Sequence, residues 1–250
     1  MRVADGVEML DIPASGPAGP GFLHPTLLWE GDAVVLVDAG YPRQSPQLRE
    51  AVERAGVPFA RLNTVIITHH DIDHVGSLAA LREALPGQVR VLCQAEEKPF
   101  LEGTKPAIKV AGMEANLAAL PEQMQAVCQS MKRFYAANQV QVDRALGDGE
   151  RLPWCGGIRV IHTPGHTPGH LCLYLERSKT LVAGDALTVQ GGRLVKGPDS
   201  YDWRSGVARE SLRKLTQYDI RAIISYHGGL YQENVNERLA EVAAEEAKTE

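Results

Sequence analysis

"VIITHHDIDHVG", residues 65–76, places three histidines and two aspartates in the six positions from His69 to His74. The residues before it, "RLNTVIIT" (61–68), form a β-branched run that reads as a buried strand. The residues after it, "VGSLAALREAL" (75–85), have helical periodicity and stop at Pro86-Gly87. A strand that ends in a turn full of imidazole and carboxylate groups and then enters a helix belongs to an α/β domain with chemistry at its strand ends.

Working outward, "TLLWEGDAVVLVD" (26–38) reads as two short strands joined by a Gly31-Asp32 turn, and residues 45–55 as a helix. "VRVLCQ" (89–94), "GIRVIHT" (157–163), "LCLYLE" (171–176), "TLVAGD" (180–185) and "RAIISYH" (221–227) read as further strands. Residues 203–217 and 232–249 read as helices. Between the two strand-rich halves, residues 96–144 form a stretch rich in Ala, Gln, Met and Leu, suited to helices over the sheet. A segment of that length inside a domain reads as a lid or substrate wall. The expected organisation is a single domain over 1–250 with a helical insertion at about 96–144.

The composition is that of a globular protein, with 44% hydrophobic and 23% charged residues, enough for a substantial core. A net charge of −5 without a basic cluster disfavours a nucleic-acid or anionic-membrane partner. The N-terminal "MRVADGVEMLDIP" has no apolar core of an export signal, and no run approaches the roughly 18 apolar residues of a membrane span. Four scattered cysteines without a CxxC pair suit a reducing compartment. The expectation is a cytoplasmic monomer or homodimer acting on a small molecule.

Four strand ends deliver histidine or aspartate: the His69/Asp71/Asp73/His74 cluster, His166 in "HTPGHTPGH", Asp185 in "VAGDAL" and His227 in "SYHGG". One such residue alone would be an ordinary hydrogen-bonded side chain. The joint pattern is different, because imidazole and carboxylate are the donors that zinc, iron and manganese accept. Alternate residues of a tight turn can point at one centre, so positions 69, 71, 73 and 74 can serve two adjacent ions.

In order, "VVLVDAG", "ITHHDIDHVGS", "VIHTPGHTPGHLCLYL", "LVAGDAL" and "ISYHGG" resemble the motifs of the metallo-β-lactamase superfamily, and the resemblance covers nearly the whole chain. It implies an αββα four-layer sandwich with two metals at one edge of the sheets. It also implies one ion on His69, position 71 and His166, and a second on Asp73, His74 and His227, with Asp185 bridging. Asp38 matches the aspartate that holds the ligand loop in that family. His170 follows the family's second histidine of the turn and is expected behind the ligands rather than among them. Tyr41, Lys105, Lys109 and Tyr201 lie in segments that can reach the metals or an anionic substrate.

The family's signature is His-x-His-x-Asp-His, and its second histidine falls here on Asp71. Three assignments stay open: Asp71 is a ligand, His70 one place earlier swings in, or the first site is weak or empty. The alternate-residue spacing of 69, 71 and 73 favours Asp71. A carboxylate there shifts preference from zinc towards harder ions such as manganese or iron and makes the metal-bound water less acidic. The flavodiiron branch similarly has a carboxylate at this place and holds iron, but its electron-carrying domain is absent from this chain.

The resemblance implies zinc, or manganese or iron because of Asp71, and a water driven from a pKa of about 15.7 towards about 7. Asp73 and Asp185 would orient that bridging hydroxide as the catalytic carboxylates, attacking a small ester, lactone or thioester. Glyoxalase II-type enzymes add a helical domain after the last ligand, whereas 23 residues follow His227. Acyl-homoserine lactonases keep the second histidine. An iron-dependent oxygenase of the persulfide-dioxygenase kind and a β-lactamase- or phosphodiesterase-like hydrolase are the alternatives.

Overall fold

Alternate residues of Ala33–Val37 serve two different cores. Val35 and Val37 pack between two β-sheets, while Val34 and Leu36 pack on the opposite face, under helices. A strand buried on both faces carries no polar side, which is why these segments read as continuous apolar runs. The protein, seen in a computed structural model, is described over residues 1–16, 19–85 and 89–245.

The first sheet has seven strands in the order Arg2–Ala4, Val7–Met9, Thr26–Glu30, Ala33–Val37, Thr64–Ile66, Arg90–Gln94 and Arg144–Leu146. Its last four run parallel to one another. The second sheet has six: Arg151–Leu152, Ile158–His162, Leu171–Leu175, Thr180–Val182, Ala222–Ser225 and Gly229–Tyr231, with one parallel pair, Thr180–Val182 beside Ala222–Ser225. Leu28, Val35, Ile66 and Leu92 from the first sheet meet Val160, Leu173, Val182 and Ile224 from the second. Leu48 and Val52 of the helix Ser45–Arg54, with Leu78 and Leu81 of Leu78–Ala84, cover the first sheet's outer face. Leu212 and Leu215 of Ser205–Leu215, with Leu239 and Val242 of Val235–Ala244, cover the second. The layers are helix, sheet, sheet, helix, the αββα sandwich.

Parallel strands leave their carboxyl ends on one side of a sheet, where loops can form a crevice. Asp38 follows Val37, His69 lies three residues past Ile66, Asp185 follows Thr180–Val182 and His227 follows Ala222–Ser225. His166 sits in the turn between Ile158–His162 and Leu171–Leu175.

Several elements are shorter than their sequence patterns. "RLNTVIIT" contributes only Thr64–Ile66 to the sheet, because Ile67 and Thr68 already turn into the ligand loop. The helical run read over 75–85 is divided between two helices, Ile72–Val75, which begins inside the ligand cluster, and Leu78–Ala84. The break lies at Gly76, where the backbone passes so close to residues 41–42 that a Cβ would stand 2.3 Å from the Pro42 nitrogen. Its φ is −57°, so steric room and not backbone freedom requires glycine. The helix stop at Pro86-Gly87 and residues 246–249 of the terminal helical run lie outside the described residues. The short strands Arg2–Ala4 and Val7–Met9, and the hairpin of Ile12–Gly16 with Gly19–Leu23, carry no periodicity long enough to read.

Between Gln94 and Arg144 the chain forms the helices Lys98–Leu101, Ile108–Ala115 and Glu122–Ala137. Among the described residues no helix is long and apolar enough to cross a membrane. Replacing Gly76 by alanine is expected to destabilise the protein by about 1–3 kcal/mol through this overpacking. A urea-denaturation midpoint equal to that of the wild type would refute the close approach.

Candidate metal centre

The ligand loop is shaped from behind by Asp38, a buried carboxylate at φ 65°. Its Oδ1 accepts from the Thr68 N–H (2.8 Å), and its Oδ2 accepts from the Thr68 hydroxyl (2.8 Å) and from Nδ1 of His74 (2.9 Å). Asp tolerates the left-handed region better than most side chains. Because Thr68 spends its proton on Asp38, its oxygen accepts from Nδ1 of His69, 3.1 Å away. His69 and His74 therefore carry protons on Nδ1 and turn their Nε2 atoms forward. Nδ1 of His166 faces Asp202 at 3.4 Å, which leaves its Nε2 pointing the same way.

Two sets of donor atoms result. His69, Asp71, His166 and Asp185 form one, and Asp73, His74 and His227 the other, with the atoms of each set within 4.8 Å of one another. Asp71 Oδ2 lies 3.2 Å from His69 Nε2 and 2.9 Å from His166 Nε2. Asp73 Oδ2 lies 3.2 Å from His227 Nε2. Asp185 spans both sets: Oδ2 is 3.6 Å from His166 and 3.4 Å from His227, while Oδ1 is 3.2 Å from His74.

His70 points elsewhere. Its ring stacks on Phe100 at 4.1 Å, its Nδ1 contacts Glu97, and its Nε2 accepts from the Ile108 N–H at 3.3 Å. In this arrangement the carboxylate of Asp71, not the imidazole of His70, faces His69 and His166.

The donors fit divalent cations. His74 Nε2 and Asp185 Oδ1 are fully buried and find no hydrogen-bond partner among the described residues, although they face each other. Burial opposes a charge on His74, but Asp185, Asp38 and Asp73 raise its pKa well above the ordinary value, so this dry pair of donors draws positive charge, and a cation between them satisfies both. The electrostatics agree. Burial pulls the His166 and His227 pKa values down, yet the carboxylates around them win. Asp202 and Asp71 push His166 up to about 9, and Asp185 and Asp73 push His227 up to about 10. Burial and neighbouring His74 instead hold His69 well below its ordinary value. Burial opposes ionisation of Asp71, but His166 and His69 keep its carboxyl well below the usual range. A cluster of carboxylates that draws protons on to its histidines is one that attracts metal ions.

His170 sits behind Asp185: its Nε2 accepts from the Asp185 N–H (3.1 Å) and its Nδ1 donates to Thr163 Oγ1 (2.8 Å). Burial, then His166, pushes its pKa down to about 3, so it stays neutral and holds Asp185 in place. Lys109 Nζ reaches Asp71 Oδ2 at 2.5 Å, with Tyr201 beside it at 5.8 Å from Nζ to the ring centre. Burial raises the Tyr41 hydroxyl to about 12, with Asp73, Asp185 and Asp71 adding to the effect. Lys105 instead lies over the Phe100 ring and is exposed. The side chains of His227 (40% exposed) and Lys109 (38%) are the solvent-facing members, which sets the direction of approach.

Sequence patterns gave no sign of several supporting residues. Tyr226 lies 3.8 Å from the His74 ring and donates to the Asp73 carbonyl at 2.5 Å. Asp202, itself paired with Lys196 at 2.6 Å, backs His166. Glu97, with a fully buried side chain, accepts from the His70 N–H (2.9 Å), the Thr167 hydroxyl (2.6 Å) and the Gly169 N–H (2.7 Å) as well as meeting His70 Nδ1. It thereby ties the loop of His69–His74 to the loop of His166. Only its tertiary partners distinguish it from the other acids of "AEEKPF".

Burial opposes the Glu97 charge, but His70 and its hydrogen bonds hold the carboxyl below its ordinary 4.5. The folded state thus prefers the carboxylate, and that stabilisation is present above about pH 4.5 and fades as pH falls further. Glu97→Gln is expected to cost about 2–4 kcal/mol at neutral pH. The gap to wild type should narrow in acid. Denaturation curves showing a gap that stays constant down to about pH 3 would rule the charge out as its source.

The chain is similar to known proteins. The chain is 28% identical over 214 residues to the probable metallo-hydrolase YflN of Bacillus subtilis, covering 80% of this chain and 76% of that one. It is 29% identical over 175 residues to a hydroxyacylglutathione hydrolase of Rhizobium meliloti, covering 69% of this chain but only 50% of the relative. Among solved structures it resembles a metallo-beta-lactamase family protein from Thermus thermophilus. The TM-score is 0.77 at 26% identity, covering 97% of this chain and 80% of that one. Residues 18–227, which include every donor of the centre, match the metallo-beta-lactamase superfamily, and the chain belongs to it.

Proposed function

We propose that the protein is a dinuclear metal-dependent hydrolase of a small ester, lactone or thioester. The observation that carries this reading is the reach of Asp185 between the two donor sets, with its Oδ1 and His74 Nε2 left unsatisfied. His69, Asp71 and His166 would hold one ion and Asp73, His74 and His227 the other, with Asp185 shared. Bound there, a pair of divalent ions supplies an acidified water and a positive charge to polarise the scissile carbonyl.

The chain's own residues do the rest. The Asp73 and Asp185 carboxylates, both partly open at 14% and 13% exposure, would orient the attacking water and accept its proton. Tyr41 keeps its proton at neutral pH, so its hydroxyl can donate to a developing oxyanion or leaving group. Exposed Tyr201 and Trp203 rim the approach beside the His166 loop, where the Trp203 N–H donates to the His166 carbonyl. Helices Ile108–Ala115 and Glu122–Ala137 wall the other side as a lid. A thioester is supported by the hydroxyacylglutathione hydrolase relative, whose name states such a substrate.

Three carboxylates in the donor sets also favour a second reading, iron-dependent oxygenation, because oxygen donors suit harder ions than zinc. The substrate in either case is a small molecule, with no nucleic acid or membrane, and the protein works as a monomer or homodimer. Four buried free cysteines support a reducing, cytoplasmic setting.

Asp185→Asn, which keeps the shape and loses the charge, is expected to lower hydrolysis of thioester and lactone substrates by about a hundredfold or more. Its circular-dichroism spectrum should stay native. Elemental analysis of the wild type should find about two ions per chain, zinc or manganese for hydrolysis. Unchanged turnover in the variant would sink the hydrolase reading, and iron with thiol-dependent oxygen uptake would replace it by oxygenation.

A further inference from the structure

The adjacent residues His70 and Asp71 grip the same helix at two points. His70 Nε2 accepts the N–H of Ile108, the first residue of Ile108–Ala115, and Asp71 Oδ2 meets Lys109, the second. Tyr135, from the next helix, donates to the His70 carbonyl at 2.8 Å. The insertion is therefore anchored to the ligand loop where aspartate replaces the family's histidine. Among the described residues Asp71 is the only carboxylate within ion-pair distance of Lys109.

We propose that Lys109 is the charge partner of Asp71, a positioning residue that restores to the first metal set the charge it would have with histidine there. This role rests on Asp71 being a ligand, as assigned above. His69, Asp71, His166 and Asp185 contain two carboxylates, where a histidine at position 71 would leave one. One ammonium on Asp71 cancels the additional charge. The contact is made to Oδ2, the same oxygen that faces His69 and His166, so the hydrogen bond draws electron density from the donor atom itself. A carboxylate so engaged donates more weakly to an ion, as a neutral imidazole does, and leaves the ion the stronger acid. The ammonium also repels an ion held beside it, so the set gives up affinity for acidity. A bridge that merely fastened the helix could form at any acid of the loop and would not need the ligand oxygen.

The test is metal affinity, measured by chelator competition with zinc(II) or manganese(II) alone, for wild type, Lys109→Met, Lys109→Gln and Lys109→Arg. The neutral variants are expected to bind one of the two ions about tenfold more tightly than the wild type. Lys109→Arg, which keeps the charge, should stay within about twofold of the wild type. Unchanged or weaker binding in both neutral variants, or an arginine variant that behaves like them, overturns the proposal and leaves the ligand reading standing. A wild type that binds neither ion overturns both.

Discussion

Three hydrogen bonds converge on Asp38, and the shape of the centre follows from them. A buried carboxylate must have its charge met, and here it is met by the Thr68 backbone, the Thr68 hydroxyl and His74. Those bonds fix where the strand Thr64–Ile66 hands over to the ligand loop, and they fix which nitrogen of His74 and, through Thr68, of His69 carries the proton. Without them two imidazoles in a dry site could present either nitrogen. The left-handed backbone at Asp38 is the local cost of placing one carboxylate behind two donors.

The front of the centre is governed by charge. Asp71, Asp73 and Asp185 crowd negative charge into one small site, and the raised pKa values of His74, His166 and His227 express it. Positive charge is then drawn in from two sources, divalent ions and Lys109. The first comes from solution and the second from the helix Ile108–Ala115, which sits directly on the residue that departs from the family signature.

His70 shows that a place in the ligand motif does not fix a side chain's direction. In "THHDIDH" it looks like a spare ligand. In the fold it belongs to the insertion: it stacks on Phe100, meets Glu97 and receives Ile108. Glu97 in turn reaches Thr167 and Gly169, so one buried acid joins both ligand loops and the base of the insertion. Gly76 plays a steric part in the same assembly, clearing space for residues 41–42 at the start of the loop's second helix.

The sequence by itself determined the layered fold and the residues that gather at its edge. Doubly buried strands must be apolar along their length, and donors of this kind at successive strand ends have few other uses. The short strands Arg2–Ala4 and Val7–Met9, the pairing of Ile12–Gly16 with Gly19–Leu23 and the split at Gly76 were not legible, because each depends on what packs against it and not on its own periodicity. Only the tertiary structure decided which way Asp71 and His70 face, that Lys109 reaches the centre while Lys105 lies over Phe100, and that Glu97, Asp202 and Tyr226 stand behind the donors. The reason is physical: a side chain's direction within a turn is set by partners up to 153 positions away in the chain, as Tyr226 is from Asp73, and no local pattern encodes such partners.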